Sequence, residues 1–185
     1  MIYILPTDTC FWIACSIDDT KNYHKIYDIK KRSLEKPLAI MIFDFKWLEE
    51  NTSLNKAQIE FLKKYPNPWT VMTNSTRIEM ILNLEQEDFE YKNKEFYKYI
   101  AFRVANNEIE KNLIWEVGPI FLTSANLSWE KEIYDIKQAK KQFEKYQKNI
   151  SFLWENYKLN EKIKPSDIFE FNWETTKINY LRKNS

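Results

Sequence analysis

Pro6 is followed by Thr7, Asp8 and Thr9, three polar side chains crowded onto the end of an apolar run. Such a rim suits a small polar ligand better than a core. Downstream, the segment IKKRSLEK at 29–36 carries Lys30 and Arg32, and Lys30 stands four residues after Ile26 and seven after Tyr23. That helical spacing turns Lys30 toward the inner face. TSANLS at 123–128 ends another apolar run and offers Thr123, Ser124 and Asn126 at one mouth. KPSD at 164–167 adds a further hydroxyl, Ser166, beside a proline. Each segment alone reads as a solvated or capped turn. Cations and hydroxyls recurring at successive strand ends point instead to a cleft for an anionic ligand.

The elements that must position these groups alternate. Strands are expected at 2–5 and around Cys10 to Ala14, with a helix capped by Asp18 or Asp19 and running to about Lys31. A strand at 37–43 precedes helices near 45–50 and 55–64, and Pro66 and Pro68 end the second of them. Strands at 70–73, 99–105 and 119–124 enclose a helix from Glu108 to Trp115. A helix from Ile136 to Tyr146 and three short strands near 150–154, 167–171 and 176–181 follow. With no repeat and no linker, 185 residues make one layered α/β domain, 1–185, with a mixed sheet.

Composition removes several classes of function. Hydrophobic residues make up 44% and charged residues 30%, a globular balance. The longest apolar run, LAIMIF at 38–43, is too short to span a bilayer, and the N-terminus lacks a signal-peptide pattern. A cytoplasmic protein is expected. Cys10 and Cys15 share the chain with one histidine, so they make no zinc site and read as reduced, half-buried thiols. His24 reads as a surface residue. Net charge is +1, so any phosphate preference must come from local clusters.

Glycine is the abnormal number. Gly118 is the single glycine, where average usage would supply about 13, whereas tryptophan occurs 7 times. A P-loop or a dinucleotide fingerprint cannot be written without glycines. Any nucleotide here must be held by side-chain hydroxyls and cations. Turns still need residues at positive φ, and Asn67, Asn106 and Asn107 are the expected substitutes.

Read together, PTDT at 6–9, K-x-R at 30–32 with KPL at 36–38, and TSANLS at 123–128 resemble the YrdC-like family of threonylcarbamoyl-adenylate synthases. YPNPWT at 65–70 is similar to its W-P-G-P-x-T, AFRVA around Arg103 to its A-V-R-V-P, and KPSD at 164–167 to its late N-P-S-[ET]. The resemblance runs from the first residues nearly to the last. It implies an open twisted mixed sheet flanked by helices, with a positively lined concave cleft. It also implies a reaction in which L-threonine, bicarbonate and ATP give threonylcarbamoyl-AMP and pyrophosphate. The product then goes to a threonylcarbamoyl-transferase complex that modifies adenosine 37 of tRNA. On this resemblance Lys30 and Arg32 are the catalytic cations. Thr7, Thr9, Ser124 and Asn126 bind threonine, carbamate or nucleotide, and Arg103 and Ser166 face the nucleotide. Magnesium travels with the phosphates, and no protein-held metal is implied.

Some positions depart from the family pattern. Asn67 replaces the glycine of W-P-G-P, and Ala105 and Asn107 replace a proline and often a histidine. Trp12 and Trp129 stand where P-T-[DE]-T-V-Y-G-L-G-C and T-S-A-N-x-S-G carry glycine, and Trp154 and Trp173 fall near further glycines of the family. One common cause is a codon, UGA, read as glycine in the source cell and as tryptophan here; the alternative is a cleft reshaped around indoles. Two other functions fit the same family surface: a non-catalytic module for tRNA or double-stranded RNA, and a carbamoyl-transfer domain of the hydrogenase-maturation type. The chain lacks the zinc-finger and acylphosphatase-like segments that accompany the latter.

Overall fold

A computed structural model describes residues 1–75, 100–154, 159 and 163–184. Branched and aromatic side chains alternating between two faces form β1 (Ile2–Pro6), β2 (Phe11–Ser16), β3 (Ala39–Ile42), β4 (Trp69–Thr73), β5 (Ile100–Val104) and β6 (Ile120–Ser124). Three shorter or later strands, β7 (Ile150–Phe152), β8 (Asp167–Phe171) and β9 (Ile178–Arg182), complete one sheet among the described residues. Tyr99, the first residue of the strand expected over 99–105, lies outside the described residues.

Helices start where a short polar side chain can accept the first free amides. Asp19 caps α1 (Thr20–Lys30) and Asp44 caps α2 (Phe45–Asn51). Asn55 with Gln58 closes a reciprocal capping box on α3 (Lys56–Lys64), and Asn107 with Glu110 does the same on α4 (Glu108–Val117). Asp135 caps α5 (Ile136–Gln142).

The strand order is β7-β1-β2-β6-β3-β5-β4-β8-β9. The pairs β1–β7, β3–β5 and β4–β8 are parallel, and the other five neighbours are antiparallel. The sheet is therefore mixed, as expected. Its first face packs Ile4, Ile13, Ile40, Phe102 and Phe121 against Tyr23 and Ile26 of α1, Leu48 of α2 and Ile59 of α3. The opposite face packs Leu5, Ala14, Met41 and Leu122 against Ile109 and Leu113 of α4. Trp12, Ala39 and Leu122 share this second face, which also carries the cleft described below.

Four sequence expectations change. The helix expected over 136–146 stops at Gln142, and a 3₁₀ turn at Glu144–Asn149 replaces its end. Asn67, Asn106 and Asn107 do not take the left-handed positions; among the described non-glycine residues, Lys31, Trp154 and Trp173 do. Asn107 is extended because its side chain caps α4. Cys10 and Cys15 are free and fully buried rather than half-buried. His24 is not simply a surface residue: it is half-buried, its ring edge-on to Tyr23 at 5.4 Å. No helix among the described residues is long and apolar enough to cross a membrane.

Candidate active site

The end of α1 and the loop after β6 grip each other. Lys31 closes the helix in the left-handed conformation at φ 52°, and the amide of Arg32 returns to the carbonyl of Tyr27 at 3.0 Å. This reversal sends the two neighbouring cations in different directions. Lys30 turns inward, and its ammonium donates to the carbonyls of Ser124 and Asn126. In return, the amide and hydroxyl of Ser128 both donate to the carbonyl of Lys30. Arg32 emerges toward the opening and donates to the carbonyls of Lys36 and Pro37, which fixes the loop between α1 and β3.

At the end of β1, Thr7 Oγ1 donates to the carbonyl of Cys10 at 2.9 Å and lies 3.1 Å from Thr9 Oγ1. Between them, Asp8 accepts from Arg103, whose guanidinium also donates to Thr70 Oγ1 at 3.3 Å. The Arg103 guanidinium lies 4.9 Å from the ring centre of Trp12. Trp12 stands directly across from Ser124 in the β2–β6 pair, and its indole N–H donates to Thr9. On the far side, Ser166 Oγ lies 3.0 Å from Thr70 Oγ1, and Arg182 of β9 donates to the Ser166 carbonyl at 2.8 Å.

These elements enclose a cleft of about 220 Å³. Ala39 and Ala101 keep part of its floor low, while Trp12 and Leu122 raise the part beside β6. Of the candidate binding residues singled out in the sequence, Thr9, Arg32, Thr123, Ser124 and Ser166 line the cleft. Thr7, Lys30, Arg103 and Asn126 are buried around it without lining it. Lys30 faces inward, as its helical spacing implies, and reaches the site through the carbonyls of Ser124 and Asn126. Arg182, Thr70 and Glu132 line the cleft and were not anticipated. Arg182 sits in INYLR, which carries no motif; strand pairing alone brings it to Ser166.

The electrostatics suit positioning rather than covalent chemistry. Burial pushes the Cys10 thiol up to about 12, so it is no nucleophile near neutrality. Burial and the charge of Arg32 push Lys30 down to about 7, while its two carbonyl acceptors favour the ammonium. Glu110 rises to about 7, chiefly through burial, as it caps the Asn106 and Asn107 amides. Asn126 Oδ1 and Arg103 Nε are buried without a hydrogen-bond partner. No cluster of three or more metal-ligating side chains occurs among the described residues.

Comparison with known proteins gives a consistent picture. The Sua5/YciO/YrdC family model, described as telomere recombination, matches residues 1–183. A protein of Vibrio vulnificus named threonylcarbamoyl-AMP synthase is 27% identical over 169 residues, spanning 88% of this chain and 83% of its own. The crystal structure of E. coli YciO superposes with a TM-score of 0.72 at 19% identity, covering 98% of this chain and 82% of that one. P. abyssi Sua5, solved as a complex with L-threonine, superposes with a TM-score of 0.69 at 22% identity over 93% of this chain. The match spans 48% of the length of that Sua5 chain.

Proposed function

The chain belongs to the Sua5/YciO/YrdC family, and from that membership we propose that it is an L-threonylcarbamoyladenylate synthase. The threonine amine adds to bicarbonate-derived carbon dioxide to give a carbamate. A carbamate oxygen then attacks the α-phosphorus of ATP, and pyrophosphate leaves. One observation carries the reading: Thr9, Arg32, Ser124 and Ser166, from four separate segments, converge on one cleft beside Arg182. Neither step needs a covalent protein nucleophile. Both need a carboxylate, a carbamate and a triphosphate held together with their charge neutralised. Arg32 and Arg182 supply planar donor forks for phosphate or carboxylate, and the hydroxyls of Thr9, Ser124 and Ser166 supply neutral hydrogen bonds. Lys30 acts from beneath by holding the carbonyls of Ser124 and Asn126, which fixes the loop that presents Ser124.

Glu132 is the one carboxylate lining the cleft among the described residues, so magnesium is read as arriving with the nucleotide's phosphates. The adenylate is passed to the tRNA-modifying threonylcarbamoyl-transferase complex.

An ATP-to-AMP assay with threonine and bicarbonate omitted in turn tests the reading. Turnover that needs both supports it. Equal turnover without threonine overturns it. A non-catalytic RNA-binding module would instead show no threonine dependence and an affinity falling steeply with salt.

A further inference from the structure

The seven tryptophans divide by geometry. Trp47 packs on Phe102 at 5.8 Å and Trp69 on Phe45 at 6.0 Å, so both are ordinary aromatic contacts. Trp115 projects from the interior of α4, where glycine would weaken the helix. Of the other four, Trp154 and Trp173 hold a backbone that strains a bulky side chain, while Trp12 and Trp129 stand at the cleft and in a turn where the family pattern carries glycine.

Trp154 and Trp173 sit at φ 59° and 53°, in the left-handed region that a bulky L side chain populates only under strain. Trp173 is 90% exposed and Trp154 62% exposed, so burial of the indole offers little return for that strain. At Trp173 the backbone itself is fixed: buried Gln58 donates to the carbonyls of Trp173 and Thr175 at 2.7 and 2.9 Å. Asn55 Nδ2 donates to the neighbouring carbonyl of Glu174. The turn needs the carbonyl and the positive φ of residue 173, and makes no use of its side chain. Trp129 lies in the turn closed by the Glu130 amide on the Leu127 carbonyl and is 69% exposed. Trp12 projects into the cleft, consumes the Thr9 hydroxyl and covers Arg103.

The residue type that suits all four places is glycine, of which this chain holds a single example, Gly118. We propose that positions 12, 129, 154 and 173 are glycine in the source cell, their UGA codons being read by a glycine-charged tRNA. UGA differs from the glycine codon GGA only in its first base. On this proposal Trp47 and Trp69 are the UGG-encoded positions and remain tryptophan. With glycine at position 12, the cleft gains the volume of the indole, and the Thr9 hydroxyl becomes available. That consequence alone rests on the synthase reading; the decoding is independent of it.

Peptide mass spectrometry of the protein from its source cell, with sequencing of the gene, tests the proposal without any activity. Glycine at 12, 129, 154 and 173, UGA at those codons and UGG at 47 and 69 are expected. Tryptophan in those four peptides overturns it. Recombinant chains give a second readout. Trp154→Gly with Trp173→Gly should raise the unfolding midpoint by roughly 4 °C, whereas Trp154→Ala with Trp173→Ala relieves no backbone strain. An alanine pair as stable as the glycine pair overturns the proposal.

Discussion

The indole N–H of Trp12 donates to Thr9 Oγ1 at 3.0 Å. In the tryptophan-bearing chain this bond occupies a hydroxyl at the cleft mouth. Trp12→Phe keeps an aromatic ring beside Arg103 and removes the competing donor. One hydrogen bond is worth about 1 kcal/mol, so L-threonine should bind roughly fivefold tighter to Trp12→Phe by calorimetry. Unchanged affinity would show that Thr9 makes no contact with threonine.

Lys30 and Arg32 are two residues apart, yet their losses should read differently. Lys30→Met leaves the buried carbonyls of Ser124 and Asn126 without their donor, at a cost of about 2 kcal/mol or more in unfolding free energy. Arg32→Ala removes a half-buried loop contact, should cost under about 1 kcal/mol, and should lower turnover at least tenfold. Denaturant titration and the ATP-to-AMP assay on both variants check the split. A stable Lys30→Met with normal turnover would remove Lys30 from the site altogether.

Glu110 gives a pH dependence of defined sign. Its folded value is raised to about 7, chiefly by burial, from the usual carboxylate range. The folded state therefore binds the proton more tightly than the unfolded chain does. Its stabilising contribution is fully present below about pH 4.5 and is lost as pH rises through about 7, on the order of 3 kcal/mol in total. Unfolding midpoints from pH 5 to 8 should fall less steeply in Glu110→Gln than in the parent. Parallel curves would refute the assignment.

The fold was legible because strand alternation and helix caps are local signals. Asp19 marks the start of α1 in the chain as in the structure, whereas the caps at Asn55 and Asn107 emerge only from the structure. The site was legible only in part. The K-x-R spacing names two cations and the helical period turns Lys30 inward, but only the left-handed turn at Lys31 shows how Arg32 is sent out to the cleft. Positive φ was expected at asparagines, yet among the described non-glycine residues it falls on Lys31, Trp154 and Trp173, and Asn107 is extended because it caps α4. Arg182 was invisible for a topological reason: β8 and β9 must pair before it meets Ser166.

Arg182 should behave as a binding residue of the nucleotide side. Its guanidinium is held by the Ser166 carbonyl at 3.2 and 2.8 Å, so its donor fork is oriented before any ligand arrives. Burial and the nearby charge of Arg103 both disfavour its protonated form, and an incoming phosphate would relieve that repulsion. Arg182→Gln keeps a donor for the carbonyl but removes the charge. The KM for ATP should rise roughly tenfold, with a much smaller effect on the KM for threonine. That contrast separates a phosphate contact from loss of fold, since unfolding would lower the active fraction without changing either KM. Equal rises in both constants would instead place Arg182 in the general architecture of the cleft.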